Sequence, residues 1–222
     1  MLNIQISETI KQTIRSMQFG LIEASGVSVH PSNVDFDNEL KKLELELKEK
    51  YQDIAPSDDP VVSAVRRMYR QVGWEPTKYR PSSEALVRRL LKGNGLYRIN
   101  NLVDYGNLVS ARYHIPMGLY DTGKITGQAI MDIGKDGESY QGISKPEIHA
   151  TGKIILRDDK GVFGNPTADS ARTCVQVTTQ SVLAVFFAPS AIERDFLQKT
   201  IDELAAYYNL FSKKVETQIQ TV

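Results

Sequence analysis

Apolar residues alternate or run together in two early segments, "LNIQIS" and "MQFGLIEASGV", and this spacing predicts two short strands. The period then lengthens. In "SNVDFDNELKKLELELKEKYQ" an apolar stripe of Leu40, Leu43, Leu47, Tyr51 and Ile54 predicts a helix, supported by Glu44–Lys48 and Glu46–Lys50 pairs at i,i+4. A second helix is expected in "SDDPVVSAVRRMYRQVG", with Asp59 as cap, Pro60 in the first turn and Gly73 as stop. A third follows in "YRPSSEALVRRLLKGNG", with Ser82 as cap, Leu86, Leu90 and Leu91 packing, and Gly93 and Gly95 ending it. "INNLVDYGNLVSARY" reads as a fourth.

Beyond Pro116 the pattern shortens again. "GQAIMDIG", "GKIILRDDKGVFG", "RTCVQVTT" and "VLAVFFAP" are expected strands, with a hairpin turn at Asp158–Asp159–Lys160–Gly161. A closing helix is expected from Ser190, with Glu193 completing a capping box. Helices first, then mostly antiparallel strands, then a helix imply the α+β class, with a mixed, largely antiparallel sheet.

At 222 residues the chain suits a single domain, 1–222. It is 41% hydrophobic and 24% charged, which places it among ordinary globular proteins, and its formal net charge of zero points to no partner class. The local distribution is more informative. Residues 66–98 hold nine Lys or Arg against Glu75 and Glu84, whereas residues 35–59 hold nine Asp or Glu against four Lys. The basic strip is either an RNA footprint, carried by Arg66, Arg67, Arg70, Arg88, Arg89 and Lys92, or a surface neutralised by the acidic segment. Tyr69, Trp74, Tyr79 and Tyr97 interleave with it and stand either as core or as base-stacking platforms. Cys174 is alone, and His30, His114 and His149 are scattered, so no metal spacing and no disulfide framework is implied. The start lacks a signal-peptide pattern and no membrane span is expected, so the default expectation is a cytoplasmic protein. No nucleophile elbow, P-loop or dinucleotide fingerprint occurs, and no cofactor is implied.

Two stretches carry polar residues that need a task. On the fourth helix Asn100, Asp104 and Asn107 share one face, as hydrogen-bonding caps for neighbouring loops or as a polar wall of a cleft. "FGNPTADSARTC" combines turn residues at Asn165 and Asp169 with the hydroxyls of Thr167, Ser170 and Thr173, and with an Arg172 fork suited to a carboxylate.

These stretches carry a resemblance. "RINNLVDYGNLVSARYHIPMGLYDTGKITG" is similar to the central segment of the B3/B4 domain of the phenylalanyl-tRNA synthetase beta subunit, matching at Ile99, Asn101, Val103, Asp104, Asn107, Val109, Pro116 and Asp121. "GKIILRDDKGVFGNPTADSARTCVQVTTQSVLAVFFAP" resembles the later part, and "YRPSSEALVRRLLKGNGLYRINNLVD" with "HIPMGLYD" resembles stand-alone members of that family. The match covers about residues 78–190 and implies an α+β unit whose cleft, in the synthetase, hydrolyses tRNA mischarged with tyrosine. Asn107 stands at a substrate-contacting asparagine, Tyr97 at a pocket arginine and Gly118 at a pocket histidine, while the pocket glutamate has no counterpart.

Three readings follow. The first is a trans-acting aminoacyl-tRNA deacylase, with Asn107, Arg172, Thr173 and amides near Gly118 stabilising the oxyanion and Asp169 orienting water. In it Tyr97, Asp104, Asn165 and Gly118 line the substrate. The second is a non-catalytic module binding tRNA or another RNA. The third is a protein that binds an amino-acid-like small ligand in the same cleft.

Overall fold

The computed structural model describes residues 2–14, 17–143 and 147–222. Its organising element is β10 (Ser181–Pro189), an unbroken apolar run. Val182, Ala184, Phe186 and Ala188 project into one hydrophobic cluster, and Leu183, Val185 and Phe187 into another. A strand buried on both faces has no need of polar alternation, which is why this segment reads as continuously apolar.

β10 lies antiparallel between β2 (Met17–Ser25) and β3 (Met117–Asp121), with β11 (Lys214–Thr221) beyond β2. One face of this four-stranded sheet is covered by helices. α2 (Val34–Lys50), α4 (Ser82–Leu91), α5 (Asn101–Tyr113) and α6 (Arg194–Asn209) contribute Leu43, Leu90, Leu108 and Leu204 to the first cluster. The other face meets a five-stranded sheet in the order β1 (Ile4–Ile6), β4 (Ala129–Ile133), β7 (Ile154–Asp158), β8 (Gly161–Asn165), β9 (Ala168–Asp169). Only the β1–β4 pairing there is parallel. Met131, Leu156 and Phe163 fill the second cluster, joined by Val65 and Met68 from α3 (Pro60–Gln71). A small hairpin of β5 (Ser139–Tyr140) and β6 (Ile148–His149) lies beside β8. The result is the α+β, largely antiparallel architecture read from the sequence.

Several expectations are corrected. Residues 129–133 and 154–158 do not share a sheet with 182–188, because β10 recruits β2 and β3 on its two edges. The expected strand in "RTCVQVTT" is a loop: the Thr173 carbonyl accepts the Asp121 N–H and Arg172 is drawn to Asp158, so no ladder forms. Pro81, not Ser82, occupies the cap position of α4. α6 starts at Arg194, after Glu193, with no side-chain cap, so the expected capping box does not form. Several elements were not anticipated, among them β3, β5, β6, β9, β11 and α1 (Glu8–Thr13), whose cap Ser7 accepts the Ile10 N–H at 3.2 Å. Asp59 caps α3 as expected, accepting from Val61 and Val62.

Candidate nucleic-acid interface

The polar face of α5 is spent locally. Asn100 caps the helix through Val103. Asn101 accepts the His30 N–H at 3.1 Å and donates to the Ser28 carbonyl at 2.9 Å. Asp104, almost fully buried, accepts from the Ser32 hydroxyl at 2.7 Å and the Ile99 N–H at 2.9 Å, with Arg98 at 3.5 Å. These groups pin the 28–32 segment to α5 rather than holding the 165–173 loop. Asn107 is half-buried, has no hydrogen-bond partner among the described residues, and does not line the cleft that Asn165 lines. Asn100 stands outside the helix as its extended cap and Asn107 shares none of Asp104's contacts; of the two readings of this face, hydrogen bonding to a neighbouring loop is the one Asp104 fulfils.

The 165–173 loop is also held from within. Asn165 is buried, accepts from the Thr167 and Ala168 amides and donates to the Tyr140 hydroxyl at 2.7 Å. The Thr173 hydroxyl donates to the Phe163 carbonyl. Arg172 clamps Asp158 through both terminal nitrogens at 2.8 and 2.9 Å and also donates to the Lys124 and Gly161 carbonyls. Its fork therefore faces Asp158, not Asp169 or an open site. Burial alone would raise the Asp158 pKa, but Arg172 and the Thr126 and Lys160 amides outweigh it and hold the carboxyl below its ordinary range.

Asp169 and Gly118 are brought together. The Asp169 Oδ2 accepts the Leu119 N–H at 3.1 Å, and a Cβ on Gly118 would overlap the Tyr120 hydroxyl and crowd Asp169 Oδ1. That oxygen and the Tyr120 hydroxyl are buried and neither completes a hydrogen bond of ordinary geometry. Burial pushes the Asp169 carboxyl up to about 7, although the Leu119 amide and Tyr120 pull the other way.

The basic strip divides. Arg66 and Arg88 converge on the fully buried Glu84, Arg66 through two bonds of 2.8 Å and Arg88 at 2.7 Å. Arg66 is thus a structural partner, and the neutralising acid comes chiefly from within the strip. The acidic segment reaches it through Asp37, paired with Arg98. Arg67 and Arg70 are exposed on α3. Tyr69 and Trp74 are buried and stacked on each other at 4.6 Å, so they are core rather than platforms. Tyr97 is 57% exposed and carries Arg89 over its ring at 3.9 Å.

Two adjoining clefts lie along α4. One, of about 390 Å³, sits between the 74–85 segment and the walls formed by β6, Lys153 and the 165–168 turn. The other, of about 360 Å³, is lined by Arg88, Arg89, Lys92 and Tyr97. Arg80 and Ala85 line both, so the two clefts adjoin at these residues, with cations along each. Lys153 and His149 are wall residues that sequence reasoning missed. They lie far from the strip in the chain, and only the β6–β7 approach to α4 brings them in. Among the described residues no group of three His, Cys, Asp or Glu is placed to hold a metal ion, and no helix is long and apolar enough to cross a membrane.

The sequence profile of the B3/4 domain matches residues 64–221. The chain is similar to the phenylalanine–tRNA ligase beta subunit of Neisseria meningitidis serogroup B, 25% identical over 122 residues, covering 53% of this chain and 16% of that protein. It is 26% identical over 110 residues to the beta subunit of Neisseria gonorrhoeae, covering 48% of this chain and 14% of that one. The chain thus spans under a fifth of these relatives. Among solved structures, an N-terminal fragment of the phenylalanyl-tRNA synthetase beta subunit from Pyrococcus horikoshii is similar at a TM-score of 0.43 and 11% identity, covering 99% of this chain and 52% of that one. The profile match spans well over half of the chain, including α4, α5 and the sheet core: this protein belongs to the B3/4 domain family.

Proposed function

We propose that this chain binds RNA of the tRNA class in the adjoining clefts along α4, as a binding module rather than an esterase. The observation that carries the proposal is that the two clefts adjoin at Arg80 and Ala85, with Lys78, Arg80, Lys153, Arg89 and Lys92 along them. Among the described residues Lys78, Lys92 and Lys153 have no carboxylate partner, so their charge is available to phosphates. The free face of Tyr97 suits a stacked base. The synthetase relatives act on tRNA by name, which makes an RNA partner the first class to test. Against hydrolysis stands the engagement of Arg172 and Thr173 with the protein's own carboxylate and carbonyl. One observation favours the deacylase as a second reading: Asp169, titrating near neutrality, lies beside the Leu119 amide.

The test is tRNA binding across a salt series. Replacing Arg89 or Lys92 by Ala should weaken binding to all sequences alike and reduce the slope of log K against log salt by about 1 each. An unchanged slope, or no binding by the parent chain, ends the proposal. Release of amino acid from mischarged tRNA, lost in Asp169→Asn, would establish the second reading instead.

A further inference from the structure

We infer that the N-terminal end of α4 is a receptor for a terminal phosphate monoester, the group borne at a phosphorylated end of an RNA strand. The inference rests on the RNA-binding reading in taking an RNA end as the source of that group. α4 has ten residues, and its first turn opens into the larger cleft, whose wall includes Ser82 and Ala85. Pro81 at the cap position has no side-chain oxygen, and no side chain caps the helix. The Ser82 amide donates to the Pro166 carbonyl at 3.4 Å, and those of Ser83 and Glu84 keep their partial positive charge, the arrangement that favours an anion.

Independent features of the same cleft ask for the same ligand. Trp74 is only 3% exposed, and its indole N–H has no hydrogen-bond partner. The Ser82 hydroxyl is likewise buried without one. Both residues line the cleft. An unsatisfied buried donor is costly, and two in one cavity point to an absent acceptor. Lys153 is half-buried, its ammonium held over the Trp74 ring at 5.1 Å and the Tyr79 ring at 4.6 Å. No described carboxylate pairs with it. Aromatic faces recover part of the cost of desolvating an ammonium, and an anion would recover the remainder. Lys78 also lies over the Tyr79 ring, at 5.3 Å, and Arg80 comes no nearer than 3.8 Å to Glu84.

The acids nearby are committed: Glu84 to Arg66 and Arg88, and Glu147, at the rim, to the Ser139 hydroxyl at 2.5 Å. Three cations and one rim carboxylate leave a site that matches a phosphate monoester of about −1.5 to −2 charge better than a diester. A monoester also presents three free oxygens to the indole, the hydroxyl, the amides and the cations, one more than a diester does.

The experiment uses the full chain and one RNA oligonucleotide sequence in three forms, with a 5′-phosphate, a 3′-phosphate, or hydroxyls at both ends, together with adenosine 5′-monophosphate. One phosphorylated form should bind about 10-fold or more tighter than the hydroxyl form, the order expected of charge-assisted hydrogen bonds. Lys153→Met and Ser82→Ala should each bring that ratio toward one, with thermal melts confirming folding. Lys78→Met, at an exposed residue, serves if Lys153→Met does not fold. Equal affinity for all three oligonucleotides overturns the inference while leaving RNA binding intact. Mononucleotide binding that depends on Lys153, without oligonucleotide binding, supports the phosphate site and overturns the RNA reading.

Discussion

Replacing Asp169 by Asn keeps the side chain's shape and its acceptor for the Leu119 N–H, and supplies an NH₂ donor toward the Tyr120 oxygen. What it removes is the titration. Burial lifts this acid from 3.8 to about 7, so the folded state holds the proton more tightly than the unfolded chain. A raised folded pKa contributes stability that is complete below the unfolded value and is lost as pH rises through the folded one. From about pH 5 to about pH 8 that loss is ~2.5 kcal/mol. His114 opposes it. Burial, with Lys50 nearby, lowers its pKa to about 4 from 6.5, which costs stability as pH falls through that interval. Over the same window the histidine contributes ~2 kcal/mol of the opposite sign, so the two groups oppose each other in the parent's own pH profile. The informative quantity is therefore the difference between Asp169→Asn and the parent, measured by urea denaturation at both pH values. The variant should gain ~2.5 kcal/mol on the parent on going from about pH 5 to about pH 8. Parallel profiles for the two proteins would refute the argument that burial makes this carboxyl retain its proton.

Glu84→Gln leaves Arg66 and Arg88 facing a neutral amide in a buried setting and should cost ~3 kcal/mol in chemical denaturation; a loss below ~1 kcal/mol would mean the guanidinium groups find water instead. Asn101→Ala removes two hydrogen bonds to the 28–30 segment and should cost ~2 kcal/mol, whereas Asn107→Ala should fall within ~0.5 kcal/mol of the parent. The reverse ranking, read from urea midpoints, would show that Asn107 and not Asn101 is the structural amide.

The elements that sequence alone determined are those whose partners are local or whose burial is uniform. Asp59, Pro60 and Gly73 bound α3 because capping and termination are decided within one turn. "VLAVFFAP" reads as a strand from its run of β-branched and aromatic residues, and the structure adds that both its faces are buried. α5 followed from helical spacing, and the B3/4 resemblance followed from the residues on it. Other features were hidden because their cause lies elsewhere in the chain. β11 is half-exposed and its Val215, Thr217, Ile219 alternation gains meaning only once β2 offers an edge. Ser82 resembles a cap, yet Pro81 takes the position and the hydroxyl is left to the cleft. Arg66, Arg88 and Arg172 have the appearance of anion-binding residues in sequence. Tertiary structure gave their charge to Glu84 and Asp158, and brought the distant Lys153 to the end of α4. A charged side chain's role depends on which counter-charge the fold sets within a few ångströms of it, and sequence spacing does not encode that distance across separate elements.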